Sequence, residues 1–131
     1  MPILRTIRQH KILLDTHIWL WVMSGDPILS KEFCSSFEHI HREHRVLISP
    51  MSIWEIGMLV EKKRIELDME TMDWINKSLD KCRAELSPIT PRIAIESARL
   101  TGEIHGDPVD RILIATAHEE NAVLITCDHK I

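Results

Sequence analysis

Short apolar runs alternate along this chain with longer amphipathic stretches. Lys11 to Leu14 (KILL), Val46 to Ser49 (VLIS) and Ala122 to Thr126 (AVLIT) are brief and strongly apolar, which suits buried strands, and Ala84 to Ile89 is a weaker fourth. Between them the period changes to that of a helix. HIWLWVM (His17 to Met23) lies between Asp15 and Gly25, and Ser30 to Glu43 has Leu29, Phe33, Phe37 and Ile40 on one side. MSIWEIGMLVEKK offers Ile53, Trp54, Ile56, Leu59 and Val60, with Gly57 hinting at close packing; Asp68 to Leu79 carries Met72, Trp74 and Ile75. Thr90 and Pro91 open a helix that Gly102 would stop, and Asp107 and Pro108, an N-cap followed by a first-turn proline, open another through Ile112 to Ala117. No hairpin dipeptide joins the strands. Strands separated by helices imply parallel pairing, so the expected fold is α/β: a three-layer α/β/α sandwich around a central, mainly parallel sheet of four strands, five at most.

Length and composition narrow this only slightly. At 131 residues and 44% hydrophobic content, residues 1–131 are expected to form one domain, with residues 1–10 a basic N-terminal extension. No apolar run approaches the roughly 20 residues of a membrane helix, and MPILRTIRQHK lacks the apolar core of a signal peptide, so no membrane partner and a cytoplasmic location are expected. Cys34, Cys82 and Cys127 are odd in number and contain no CxxC, which suggests reduced thiols. A net charge of −4 gives no global footprint for nucleic acid.

The candidate chemistry lies in the acids. Asp15 follows the first strand and Asp128 follows the last, and in open parallel sheets ligands gather at the carboxyl ends of the strands. As a lone residue, Asp15 would equally serve as a helix cap, as would Thr16. Glu55 falls among Trp and Ile; it either turns to solvent, pairs with a lysine, or binds a cation. Asp107 and Asp110 share a helix face, one suited to capping and the other to ligation. Four carboxylates on one rim repel unless protons or divalent cations neutralise them, and an oxygen-only donor set suits Mg²⁺ or Mn²⁺. Such a site activates water for attack on a phosphodiester, with the hydroxyl of Thr16 or Thr126 available to orient that water. His39, His41 and His44 crowd the end of one helix, where solvated histidines are the simpler reading than a metal site. There is no nucleophile elbow, glycine-rich phosphate loop or HExxH. A haloacid dehalogenase-type phosphotransferase would want an aspartate where His17 stands.

In order and separation, LLDTHIWLW with Asp15, SIWEI with Glu55, HGDPVDRILIATA with Asp110, and LITCD with Asp128 resemble a PIN domain, specifically the toxin ribonucleases of VapC-type toxin–antitoxin pairs. The resemblance runs from Lys11 to the end. It implies a Mg²⁺- or Mn²⁺-dependent endoribonuclease whose catalytic and metal-holding acids are Asp15, Glu55, Asp110 and Asp128, with Thr16, Thr126 and Asp107 in support. It further implies an RNA substrate, a homodimer, and a small antitoxin protein that blocks the site. Two departures stand out: Leu59 occupies a position where relatives often carry lysine, leaving Lys62 or Lys63 to meet phosphate, and the sequence ends three residues after Asp128. The alternative they raise is a catalytically weak PIN-like module that binds antitoxin or RNA without cutting; a different metal-dependent phosphohydrolase is a more distant third.

Overall fold

Strand β1 (Lys11–Leu14) lies inside the sheet, flanked by β2 (Arg45–Ile48) and β4 (Ala122–Ile125), with β3 (Ala84–Leu86) beyond β2. All pairings are parallel, giving the order β3-β2-β1-β4. The structure, a computed structural model, describes residues 10–25, 31–100 and 107–126, without the side chains of residues 40 and 41. Among these residues the helices are α1 (Thr16–Ser24), α2 (Lys31–Glu43), α3 (Pro50–Glu61), α4 (Thr71–Lys81), α5 (Pro91–Arg99) and α6 (Pro108–Glu120). None is long and apolar enough to cross a membrane.

Alternation along the strands sorts the core into two faces. Ile12, Leu14, Val46 and Ile48 join Ile18, Trp19, Phe37, Ile56, Trp74 and Ile75 of α1 to α4 in the larger cluster. On the other face Leu13 and Leu47 meet Val109 and Leu113 of α6, with Met51, Ala117, Ala122 and Leu124 around them. Helix α5 packs against α6. The expected α/β sandwich with a parallel sheet is therefore present, and four strands form the sheet among the described residues.

Local chemistry sets the helix ends. Asp15, Ser49, Thr90 and Asp107 each accept a hydrogen bond from a backbone N–H of the first turn, and Pro50, Pro91 and Pro108 occupy positions where no such donor is needed. Gly25 ends α1 in the left-handed region at φ 67°, where a β-carbon would be strained. Helix α4 starts three residues later than Asp68, because the Glu70 carboxylate takes the amides of Met72 and Asp73 and fixes the start there.

Several expectations change. Trp54 is 55% exposed rather than part of the apolar face: Ile56 turns into the core, and a residue two positions away falls about 200° round the helix. A β-carbon on Gly57 would meet nothing within 4 Å, so this glycine does not mark close packing. Trp19 and Trp74 lie in the core with rings 5.4 Å apart. Strand β3 stops at Leu86. Leu29, Ser30 and the stop expected at Gly102 lie outside the described residues, as does the Ile40 side chain.

Candidate active site

A carboxylate at the end of a buried strand has few ways to reach water. Asp15 directly follows β1 and is only 6% exposed. Its amide donates to the carbonyl of Ile125, extending the β1–β4 ladder, while its Oδ1 accepts from the Ile18 amide at 2.8 Å. Its other oxygen, Oδ2, accepts from the hydroxyl of Thr126, the first residue after β4, at 2.5 Å. Two strand ends are thus tied together through one side chain. Among the described residues no lysine or arginine pairs with Asp15. The carboxylate is therefore held by two neutral donors, and each oxygen keeps a lone pair for a further partner.

Thr16 does not take the water-orienting position suggested by the sequence. It is buried, and its hydroxyl donates to the Ser52 hydroxyl at 3.0 Å, joining the start of α1 to the first turns of α3. That bond helps place Glu55. Residues three and four apart share a helix face, so Glu55 lies on the side of α3 that carries Met51 and Ser52. Ser52 meets α1 beside Asp15, and Met51 packs with Val109 and Leu113 of α6. Glu55 therefore shares the helix face whose Ser52 meets α1 and whose Met51 packs against α6. It is half-buried, less deeply than Asp15, so the most enclosed of the described candidate acids is the one at the strand end.

Helix α6 runs back to β4 through a single turn residue, Asn121, so its C-terminus sits at the amino end of the strands and its N-terminus at the carboxyl edge. Asp107 is exposed and caps it, with Oδ1 accepting from the Val109 amide at 2.9 Å. Asp110, in the first turn, is half-buried. Asp107 is the expected cap of the helix, and Asp110 lies in the same first turn at the carboxyl edge of the sheet. Asp128 lies outside the described residues.

Among the described residues Asp15, Glu55 and Asp110 do not form a group whose oxygens all lie within 4.8 Å of one another. Among the described residues, the group of three potential metal ligands whose atoms all lie within 4.8 Å of one another is Glu96, His118 and Glu119. It sits at the far end of α6, and Glu119 there is paired with Arg92 at 3.2 Å. Among the described residues the candidate acids at the carboxyl edge offer oxygen donors, and the nearly buried Asp15 has no cationic partner, which fits a hard divalent cation. Sequence reasoning missed Ser52. Its only signal was its position three residues before Glu55, which marks a shared face but not its contact with Thr16.

Comparison with known proteins bears on the family and the fold. The chain is 29% identical over 120 residues to Ribonuclease VapC22 of Mycobacterium tuberculosis, covering 92% of this chain and 88% of that protein. Its fold matches a chain in the crystal structure of VapBC2 from Rickettsia felis bound to a DNA fragment from their promoter. The TM-score is 0.70 at 18% identity, over 90% of this chain and 87% of that one, a likeness of fold. The profile of the family described as PIN domain matches residues 12–131, nearly the whole length, and the chain belongs to the PIN domain family.

Proposed function

We propose that this protein is a metal-dependent endoribonuclease, the toxin of a VapC-type toxin–antitoxin pair, with Mg²⁺ or Mn²⁺ as its cofactor. The observation that carries the reading is Asp15: a carboxylate 6% exposed, without a cationic partner among the described residues, at the carboxyl end of β1. An uncompensated charge so enclosed is costly unless a cation joins it. The likeness to Ribonuclease VapC22 supports RNA as the substrate, and the VapBC2 structure supports a small antitoxin partner. A homodimer is the expected assembly.

Asp15, Glu55 and Asp110 would hold the cation, with Asp128 as a fourth acid. When bound, the cation lowers the pKa of water and offsets charge developing on the phosphate. The protein's own contribution is placement. Thr126 fixes the direction of one Asp15 oxygen and the α1 amide fixes the other, so that carboxylate needs little reorganisation. Glu55 and Asp110, both half-buried, are the carboxylates that would accept a proton from that water. Exposed Lys62 and Lys63, just past α3, are the nearest sequence neighbours of Glu55 suited to RNA phosphate.

The looser spacing of these acids favours, as a second reading, a module that binds RNA or antitoxin without cutting. Cleavage of structured RNA by antitoxin-free protein decides between them. The nuclease reading expects Mn²⁺-dependent cutting that chelation stops; no cutting across Mg²⁺ and Mn²⁺ concentrations, with RNA still bound, would favour the module.

A further inference from the structure

The last four carbonyls of a helix have no partner within it, and they form the negative end of its dipole. In α5 these carbonyls are taken up from outside. Arg111, in the second turn of α6, donates from Nε to the carbonyl of Ser97 at 3.1 Å, and from Nη2 to Leu100 at 2.7 Å and to Ala98 at 3.4 Å. One guanidinium thus gathers three carbonyls at the end of α5. Its own amide donates to the carbonyl of Asp107 at 3.1 Å, the first full helical bond of α6.

Arg111 directly follows Asp110, and the geometry points to a positioning role: we infer that the Arg111 guanidinium, by clamping the C-terminus of α5, sets the rotation of the first turn of α6 and so aims the Asp110 carboxylate at the sheet edge. Successive helical residues are about 100° apart. Val109 is driven into the sheet by Leu13 and Leu47, and Arg111 is tied to α5, so Asp110 between them is held from both sides. Asp110 itself is in a first turn, where a helix otherwise frays. Lysine cannot replace this clamp, since a single ammonium lacks the planar fork that reaches Ser97 and Leu100 from different nitrogens. The inference rests on the proposed role of Asp110 as a metal-holding acid, but the anchoring step does not.

The test compares wild type with Arg111→Ala and Arg111→Lys in three measurements on the full chain. Hydrogen exchange of metal-free protein reads the anchoring; Mn²⁺ titration followed by calorimetry reads the aim of Asp110; RNA cleavage reads the consequence. Arg111→Ala should lower the protection of the amide at position 111 at least tenfold while amides of β1 and β2 keep theirs. It should weaken Mn²⁺ binding at least fivefold and lower kcat more than it changes KM, with Arg111→Lys recovering only part of either. Adding Asp110→Asn to Arg111→Ala should weaken Mn²⁺ binding much less than it does in wild type, because the two act through one group. Unchanged exchange, or Mn²⁺ affinity restored in full by lysine, overturns the inference. Should Arg111→Ala not fold, Arg111→Lys is judged by the same exchange and affinity criteria against wild type. If wild type neither binds Mn²⁺ nor cuts RNA, the nuclease reading and the aiming of a metal ligand both fall, and faster exchange then leaves Arg111 as an anchor only.

Discussion

Asp15 has two duties that substitution can separate, one in holding the fold and one in holding a cation. Replacing it with alanine removes the N-cap of α1, worth about 1 kcal/mol. It also removes the acceptor for Thr126; a hydrogen bond to a charged group is worth about 1.5–3 kcal/mol, reduced to about 1 here because Thr126 is only half-buried and can turn to water. Asparagine keeps a carbonyl oxygen for the Ile18 amide and offers Thr126 an amide donor, so its loss should be about 0.5 kcal/mol. Both variants remove the same negative charge from the acid cluster, and that effect cancels in their difference. Asp15→Ala should therefore be less stable than Asp15→Asn by about 1.5 kcal/mol, or about 6 °C in Tm for a chain of this size. Both should lose Mn²⁺-dependent RNA cleavage by at least a hundredfold. Thermal denaturation followed by circular dichroism and a fluorogenic RNA assay check the two halves. Equal Tm values for the variants would refute the capping argument, and cleavage by Asp15→Asn within tenfold of wild type would refute its place in the site.

Thr16→Val should cost about 1–2 kcal/mol, because it leaves the buried Ser52 hydroxyl without its donor; combining it with Ser52→Ala should recover about 1 kcal/mol in a urea double-mutant cycle, and strict additivity would deny the coupling. Gly57→Ala should raise stability by about 0.5–1 kcal/mol, since the site is helical and open around the added carbon; a lower urea midpoint would show that the space is occupied. Burial pushes the Cys82 thiol up to about 11 from 9.0. Because the unfolded chain ionises first, the stability this thiol contributes is intact below pH 9 and declines as pH rises towards 11, by about 2–3 kcal/mol. Denaturant midpoints at pH 8 and 11 should converge for Cys82→Ala relative to wild type, and an equal drop in both would remove Cys82 as the cause.

The strand runs KILL and AVLI, the caps Asp15, Thr90 and Asp107, and the prolines that follow Ser49, Thr90 and Asp107 were legible in the sequence because each depends on nearest neighbours and on a fixed period. So was the grouping of acids with strand and helix ends, since a parallel sheet places its crossovers there. Burial was harder to read. Glu55 has apolar sequence neighbours, which left its surroundings open, because a helix turns adjacent residues to different faces and Trp54 beside it is largely exposed. Asp15 could be read both as a cap and as a ligand, and the bond it accepts from Thr126, 111 residues away, was beyond the reach of sequence spacing. By itself the sequence determined which residues could start helices, fill strands and ligate a cation, because those properties belong to single side chains and short spacings. Only the tertiary structure decided which hydroxyl meets which carboxylate, that Thr16 serves Ser52, and that Arg111 closes α5, because those contacts exist only once distant segments are brought together by the sheet and the two faces of its core.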